Sequence, residues 1–235
     1  MKYLNNIYIK GNTIFSKGPS SPSYSFIKQF IKNQTDIKSF LDIGCGDGIL
    51  MDLMKKNIDY LGVDANAGIK KINKNSKIKY FKTPNKTDNY LNRLKKKFNC
   101  VAIMDVLEHT DTFTKLFNIA LKKSNKYVVV SLPNEDYLIS RFRFLFGQGI
   151  LTHSLDLVGS KAGHKHQWLI QYKLAKKILN SEALKKKFKL DGIMYYVGLP
   201  QTFYKRQIYK FILFFFPKRI QMNEFCFIFK KKKLL

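Results

Sequence analysis

The chain has 235 residues, enough for one domain with small additions, and its hydrophobic content of 45% argues against a disordered protein. The formal net charge is +27, but the cations are almost all lysine and are spread along the chain. We therefore interpret them as a solvated surface rather than as a specific nucleic-acid site. The longest aromatic-aliphatic run, at 211–216, is far shorter than the ~18 residues that cross a bilayer, which predicts a soluble or peripheral protein.

The cysteines carry the information on redox compartment. Cys45, Cys100 and Cys226 are scattered through the chain and have no metal-type C-x-x-C spacing. Two of them lie in apolar, strand-like runs, so we expect buried, reduced thiols. This usage predicts a cytoplasmic protein.

The start of the chain is predicted to be an arm outside the main domain. Residues 1–22 contain two glycines and two prolines, which indicate a short strand or arm followed by a loop. An apolar stripe at 24–31 predicts a leading helix that covers one edge of the domain. A single domain is expected over 23–235.

The sequence LDIGCGDG at 41–48 predicts a buried strand that ends in a sharp glycine turn. The apolar run at 39–43 suits a parallel strand, and the three glycines allow the chain to reverse direction without a Cβ in the way. Apolar residues then recur at helical spacing, which predicts a helix at about 49–56. Such a turn alone could be a tight connection in any α/β protein.

A second strand, predicted at about 60–63, ends in Asp64, twenty positions after Gly44. An acid in this position can accept hydrogen bonds from ribose hydroxyls. The turn reads G-x-G-x-G after Asp42, whereas a dinucleotide site has G-x-G-x-x-G facing a pyrophosphate. A carboxylate would repel pyrophosphate and attract a cation, so the residues favour a nucleoside that carries positive charge.

Strands continue to alternate with helices along the rest of the chain, which predicts a parallel sheet wound on both faces. Further strands are expected at about 78–82, 99–104, 127–132, 189–197 and 224–230. Helices are expected at about 67–73, 89–97, 111–122 (with Asp111 as cap), 137–146, 171–179 and 204–216. The 150–166 segment between two of these helices is loop-like and contains three of the four histidines.

Several of these segments resemble one family in order and spacing. LDIGCGDG followed by YLGVDAN resembles motifs I and II of the class I S-adenosylmethionine-dependent methyltransferases, and VAIMDVLEHT and VVVSLPN resemble the fourth and fifth strands. SRFRFLFGQGIL and GHKHQWLI are similar to the region after strand five in the branch of the ubiquinone-biosynthesis O-methyltransferases and methionine-biosynthesis methyltransferase-like proteins. The resemblance covers roughly 24–200. It implies a Rossmann-like, mostly parallel seven-stranded sheet, with a substrate-covering insert at 137–180.

The resemblance also implies S-adenosyl-L-methionine as the cofactor. The residues expected to contact it are Asp42, Gly44, Cys45, Gly46, Gly48, Asp64, Ala65, Asp105 and Val106. Asp64 is expected to hold the ribose diol. Family members often bind the adenine amino group with a polar residue after strand three, where this chain offers Thr83 or Asn85, with Asp88 as a distant candidate.

Three histidines are the candidate general bases, because imidazole titrates near neutral pH. They are His109, His164 and His166. Glu108 can lie near the transfer site or act as a charge at a helix start. His164 and His166, on one G-H-K-H turn, are also compatible with a metal, but no carboxylate lies beside them in the sequence, so we expect no metal.

Two other features have alternative interpretations. Arg141 and Arg143 can hold an anionic acceptor, but the favoured interpretation is a helix with one solvent-exposed face and one packed face. The FILFFF run at 211–216 is expected to form a core helix, and attachment to an anionic membrane is the less favoured alternative.

These observations predict a methyltransferase acting on a small-molecule, glycan or lipid-precursor acceptor, with oxygen as the favoured acceptor atom. One alternative is an RNA-binding methyltransferase or adaptor whose lysines grip phosphate. Another is a cofactor-binding protein that has lost catalysis. Nucleic acid is a possible but not favoured partner, peripheral membrane contact is possible, and the oligomeric state is not predicted.

Overall fold

The structure is a computed structural model that describes residues 7–9, 12–14, 21–54, 57–65, 75–150, 153 and 166–232. Two short strands, β1 (Ile7–Ile9) and β2 (Asn12–Ile14), pair as an antiparallel hairpin. The main sheet contains β3 (Ser39–Ile43), β4 (Asp59–Asp64), β5 (Ile78–Tyr80), β6 (Phe98–Met104), β7 (Ser124–Pro133), β8 (Phe188–Tyr196) and β9 (Glu224–Lys231). The helices are α1 (Pro22–Lys32), α2 (Ile49–Asp52), α3 (Pro84–Arg93), α4 (Phe113–Lys123), α5 (Leu138–Leu145), α6 (Tyr172–Lys185), α7 (Phe203–Phe214) and α8 (Lys218–Gln221).

The strand order in the main sheet is β5-β4-β3-β6-β7-β9-β8. Neighbouring strands run parallel from β5 to β7, whereas β9 runs antiparallel to both β7 and β8. The predicted mostly parallel, seven-stranded sheet is confirmed. The chain reverses its direction of winding between β3 and β6, and ligands of such sheets bind in the crevice outside the carboxyl ends of the strands at this point.

Alternate residues of the central strands enter two separate cores, one on each face of the sheet. Leu41 of β3 and Val101 of β6 belong to the core that α4 and α6 cover. Phe40 and Cys100, one position earlier on the same strands, belong to the core that α1 covers. Burial on both faces explains why these strands read as continuous apolar runs.

The first helix after β5 starts earlier than the sequence pattern suggested. The prediction placed it at about 89–97, but α3 begins at Pro84. Thr83 adopts an extended conformation before it, and its hydroxyl accepts a hydrogen bond of 3.3 Å from the backbone amide of Lys86. A threonine cap followed by proline is a strong start signal, and it outweighs the apolar spacing on which the prediction relied.

Other helix boundaries also differ from the predictions. Asp111 does not cap α4, because the N-cap position is Thr112 and its side chain makes no capping bond. The described helix α2 is shorter than the predicted 49–56, and α6 extends six residues beyond the predicted end at 179, to Lys185. The helix predicted at 67–73 falls outside the described residues.

The prediction that the FILFFF segment forms a core helix is wrong. Leu213 is the one buried residue of α7, and several large apolar side chains of this helix point into solvent. Among the described residues, no helix combines the length and the apolar character needed to cross a bilayer.

Candidate functional site

The glycine turn connects β3 to α2 at the reversal point of the sheet. Gly44, Gly46 and Gly48 have positive φ angles of 77°, 55° and 85°, which an L-side chain rarely adopts. The Gly44 amide donates a 2.7 Å hydrogen bond to the carbonyl of Val63 in β4. A Cβ on Gly44 would lie only 2.3 Å from Cγ2 of Val106, so this position requires glycine for space as well as for conformation.

Asp64 lies at the end of β4, directly beside this turn. Its Oδ2 atom accepts a 2.8 Å hydrogen bond from the amide of Gly46. The Tyr80 hydroxyl donates to the Gly46 carbonyl over 3.2 Å, so the ends of β4 and β5 both hold the turn. Ala65 follows Asp64 and is half-buried, whereas Asn66 lies outside the described residues.

Asp42 is almost fully buried beneath the turn, with 2% of its surface exposed. The Tyr60 hydroxyl donates a 2.7 Å hydrogen bond to its Oδ2 atom. Burial raises the pKa of Asp42 to about 7; the charge of Asp64 adds to this effect and the Tyr60 hydrogen bond opposes it. The carboxyl group therefore changes charge near neutral pH and would ionise more readily beside a cation.

The end of β6 completes the wall opposite Asp64. Asp105 has a φ of 54°, uncommon for a residue other than glycine, and it accepts a 2.7 Å hydrogen bond from the Ser131 hydroxyl. The next residue, Val106, packs against Gly44. The structure thus brings the predicted residues Asp105 and Val106 to the glycine turn.

The Cys45 side chain packs away from solvent between the turn and β4. A Cβ on Gly62 would lie 2.8 Å from its sulfur, and 3% of Cys45 is exposed. Burial, followed by the charges of Asp64 and Asp42, raises the pKa of the thiol well above its ordinary value. Cys45 therefore offers backbone groups to a ligand, and its thiol stays protonated.

Two tyrosines that sequence reasoning missed also shape this site. Tyr60 holds Asp42, and Tyr24 of α1 is buried close enough to the acids that the Asp42 charge adds to the effect of burial in raising its pKa. The apolar stripe of α1 predicts a helix that covers one edge of the domain, but it does not identify Tyr24 as a neighbour of the carboxylates.

The adenine candidates have other partners in the structure. Thr83 caps α3, and Asp88, 4% exposed, forms a 2.8 Å ion pair with Lys115 of α4. The carboxylate of Asp88 thus stabilises the packing of α3 on α4. No described contact distinguishes Asn85.

A second cluster of polar groups lies past the ends of β6 and β7, centred on Glu135. Its carboxylate, 5% exposed, lies 2.6 Å from Nδ1 of His166 and 3.0 Å from Nε2 of His153, and it accepts a 2.8 Å bond from the amide of Ile170. The His109 ring lies 4.8 Å from that of His166. The structure thus brings together His109 and His166, two of the three predicted bases; His164 lies outside the described residues.

Glu135 and His153 were missed by sequence reasoning. Glu135 follows the proline-asparagine turn at the end of β7 by one residue, and this place at a carboxyl-terminal strand end was the available signal. Glu135 is a carboxylate that lies beside His153 and His166 in space, so the expectation of no metal, which depended on the absence of such a carboxylate, loses its basis. Ligand atoms of Glu135, His153 and His166 lie within 4.8 Å of one another, as do those of Glu108, His109 and His166.

The segment that carries His166 is tied to the end of β6 by backbone contacts. The Gln167 amide donates to the Glu108 carbonyl over 2.8 Å, and its side chain donates to the His109 carbonyl over 3.0 Å. Glu108 lies in the short 3₁₀ turn Leu107–His109 and is 1% exposed. These bonds fix the position of the histidines relative to the glycine turn.

An open groove of about 420 Å³ adjoins Glu135. Phe144 and Leu145 of α5 contribute apolar walls, and Arg141 lies at its edge. Arg141 forms a 2.7 Å ion pair with Asp136, so part of its charge is already neutralised.

A family model described as a methyltransferase domain matches residues 23–190, more than half of the chain. The chain belongs to this methyltransferase family. The sequence-based prediction of the family is thereby confirmed, whereas its branch is left as a prediction. The search of curated proteins found no match to this chain.

Solved structures of the same fold are numerous. A SAM-dependent methyltransferase from Archaeoglobus fulgidus is 20% identical with a TM-score of 0.61, over 88% of this chain and 92% of that one. Magnesium protoporphyrin IX methyltransferase from Synechocystis, with bound SAH, is 12% identical with a TM-score of 0.53, over 89% and 82%. The plantazolicin methyltransferase BamL, in complex with a triazolic desmethylPZN analogue and SAH, is 15% identical with a TM-score of 0.53, over 91% and 86%. At these identities the likeness establishes the fold.

Proposed function

We propose that this protein transfers a methyl group from S-adenosyl-L-methionine to a hydroxyl of a small-molecule, glycan or lipid-precursor acceptor. The observation that carries the proposal is that Asp64 accepts a hydrogen bond from a turn in which Gly44 leaves no room for a Cβ, with Asp42 buried beneath the same turn. Two carboxylates at this turn suit a cationic nucleoside and disfavour a pyrophosphate. Two of the solved structures of this fold are complexes with SAH, which supports the choice of cofactor.

The residues around the turn fit this cofactor. Asp64 would hold the ribose hydroxyls, while the backbone of Gly44 and Gly46 would approach the methionine part closely because neither residue has a side chain. Asp42 would attract the positive sulfur through its charge. When bound, S-adenosylmethionine supplies an activated methyl group, so the protein has mainly to align the acceptor and accept its proton.

We assign the proton-accepting role to His166, with His109 beside it and His164 as a further candidate. The Glu135 carboxylate contacts Nδ1 of His166, which fixes the orientation of the ring and leaves Nε2 to take a proton from an acceptor hydroxyl. The same carboxylate would stabilise the positive charge that forms on the imidazole. Glu135 is a positioning residue in this scheme.

We propose that the cluster works without a metal. The carboxylate of Glu135 already accepts hydrogen bonds from Ile170 and from histidine, and a cation would have to displace the latter. The expected result is that a chelator leaves turnover unchanged. Loss of activity on chelation, with recovery on adding a divalent cation, would overturn this point.

The insert at 137–180 is proposed to cover the acceptor, which the groove beside Glu135 would receive. The EHT and GHKH segments support a place near the ubiquinone-biosynthesis O-methyltransferase-like branch. The structural neighbours named for methylating a porphyrin and plantazolicin indicate that the fold accepts diverse acceptors. The described cysteines are all free and buried, which supports a cytoplasmic location.

The test is transfer of label from S-adenosylmethionine to fractionated cell extract by the full chain. Glu135→Gln keeps the size of the side chain but removes its charge, so turnover should fall by about a hundredfold while the affinity for the cofactor is unchanged. Glu182→Gln is the matched control, because Glu182 is paired with Lys185 on α6, away from the site. Equal turnover in the two variants would remove Glu135 and His166 from the mechanism.

A further inference from the structure

Helix α7 and Phe215, the residue that follows it, carry an apolar stripe that faces away from the protein. Tyr204, Ile208, Phe211 and Phe215, spaced by four, three and four residues, are 81%, 61%, 68% and 67% exposed. Residues with this spacing lie along one face of a helix. A stripe of this kind normally faces a core, so its exposure calls for a partner.

The opposite face of α7 is the one that packs against the protein. Tyr209 and Leu213 of α7, and Phe216 just beyond its end, are buried or half-buried, again at helical spacing. Burial and the nearby Tyr137 raise the pKa of Tyr209, which places the inner face of α7 beside the start of α5. Because the inner face already holds α7 on the protein, the apolar residues of the outer stripe are not needed for the fold.

Helix α5 and the residue that follows it expose a second group of apolar side chains. Ile139, Phe142 and Phe146 repeat at helical spacing and are 41%, 44% and 75% exposed, and Leu145 is also 75% exposed. Since α5 follows β7 and α7 follows β8, both helices leave the carboxyl-terminal edge of the sheet. This is the edge that carries the glycine turn and Glu135.

The charges around the stripe are all positive. Lys205 and Lys210 lie on either side of it, about a quarter to a third of a turn from its centre by helix geometry. Lys218 and Arg219 follow, and no acidic residue occurs from 192 to 223 or from 137 to 155. Aromatic and aliphatic residues flanked by lysine are the composition of helices that lie in the headgroup region of anionic membranes.

We propose that α5 and α7 dock this protein on an anionic lipid surface. Apolar side chains of both helices would enter the headgroup region while the flanking lysines contact phosphates. The groove beside Glu135 is lined by Phe144 and Leu145 of α5, so an acceptor with an apolar tail could pass from the membrane to the histidines. The part that concerns the acceptor rests on the proposed function, whereas the docking does not.

Co-sedimentation of the full chain with vesicles tests this inference. The protein should bind phosphatidylcholine vesicles that contain phosphatidylglycerol, and bind phosphatidylcholine alone much more weakly. The variant Phe211→Ser with Phe215→Ser should partition at least about tenfold less, because two exposed rings no longer enter the lipid. Leu184→Ser is the matched control: Leu184 is 49% exposed on α6, near the opposite edge of the sheet, and its loss should not change binding.

Two outcomes would overturn the proposal. One is that the wild type and the variant Phe211→Ser with Phe215→Ser bind vesicles equally well, or that neither binds them. The other is a wild-type dimer in light scattering that the same variant converts to monomers, because a second copy of the chain would then cover the stripe. Calorimetry with S-adenosylmethionine separates this inference from the proposed function. Cofactor binding without vesicle binding refutes the docking alone. Vesicle binding without cofactor binding refutes the proposed methyltransferase activity alone.

Discussion

Replacing Asp42 with asparagine should stabilise the protein at alkaline pH. The Tyr60 hydroxyl donates to a carboxyl oxygen of Asp42 over 2.7 Å, and the amide oxygen of asparagine can accept the same bond. Burial raises the pKa of Asp42 from 3.8 to about 7, so the folded state must ionise a carboxyl that resists ionisation. At pH values above both pKa values, ionising Asp42 in the folded state lowers the free energy of unfolding by on the order of 4 kcal/mol.

The effect has a defined pH window. Because the pKa is higher in the folded state than in the unfolded state, the unfolded chain loses this proton first as pH rises from about 4 to 7. The stabilising contribution of protonated Asp42 is therefore complete below pH 4 and is lost as pH approaches 7. Relative to Asp42→Asn, the wild type should lose about 3 kcal/mol between about pH 5 and pH 8.

Urea denaturation at these two pH values measures the difference. The free energies of unfolding of wild type and Asp42→Asn should diverge as pH rises, with the variant more stable at the higher value. The same variant should bind S-adenosylmethionine more weakly, because it has lost the charge that we propose attracts the sulfonium. A difference in stability that is independent of pH, or a variant that is less stable at pH 8, would refute the account of Asp42.

Two further substitutions test the site from other directions. Gly44→Ala should destabilise the fold by a few kcal/mol and abolish cofactor binding, because its Cβ would lie 2.3 Å from Val106 Cγ2 at a φ of +77°. Thermal unfolding measures the first effect and calorimetry the second. An alanine variant that is as stable as the wild type would contradict the tight packing of the turn. Asp64→Ala should weaken cofactor binding by about 1–3 kcal/mol through lost hydrogen bonds. Asp59→Ala, at the opposite end of β4 where Asp59 pairs with Lys96, is its control and should bind normally; equal affinities would exclude Asp64 from the ribose site.

The first half of the fold could be predicted because its signals are local. The sequence predicts the strand at 39–43 with its observed bounds, since a mostly apolar run that stops at glycine has few other structures. Asp64 was placed beside the turn because parallel neighbouring strands end at the same edge of a sheet. The hydrophobic pattern therefore predicts where each strand ends, and with it the location of an acidic residue at that end.

The errors occurred where tertiary contacts decide the outcome. The apolar run at 211–216 has the composition of a core segment, and a single sequence does not reveal that another face of the same helix is already packed. Glu135 meets His153 and His166 across 18 and 31 residues, a contact that only the folding of the insert creates. The sequence offers Thr83 as an adenine contact, yet its hydroxyl caps α3.

Isothermal titration of the wild-type protein with S-adenosylmethionine, with NAD as the comparison ligand, tests the central claim most directly. The glycine turn and its two carboxylates predict saturable binding of S-adenosylmethionine at one site and no measurable binding of NAD. Absence of heat with S-adenosylmethionine, or saturable binding of NAD in its place, would contradict the assignment of this site to a cationic nucleoside.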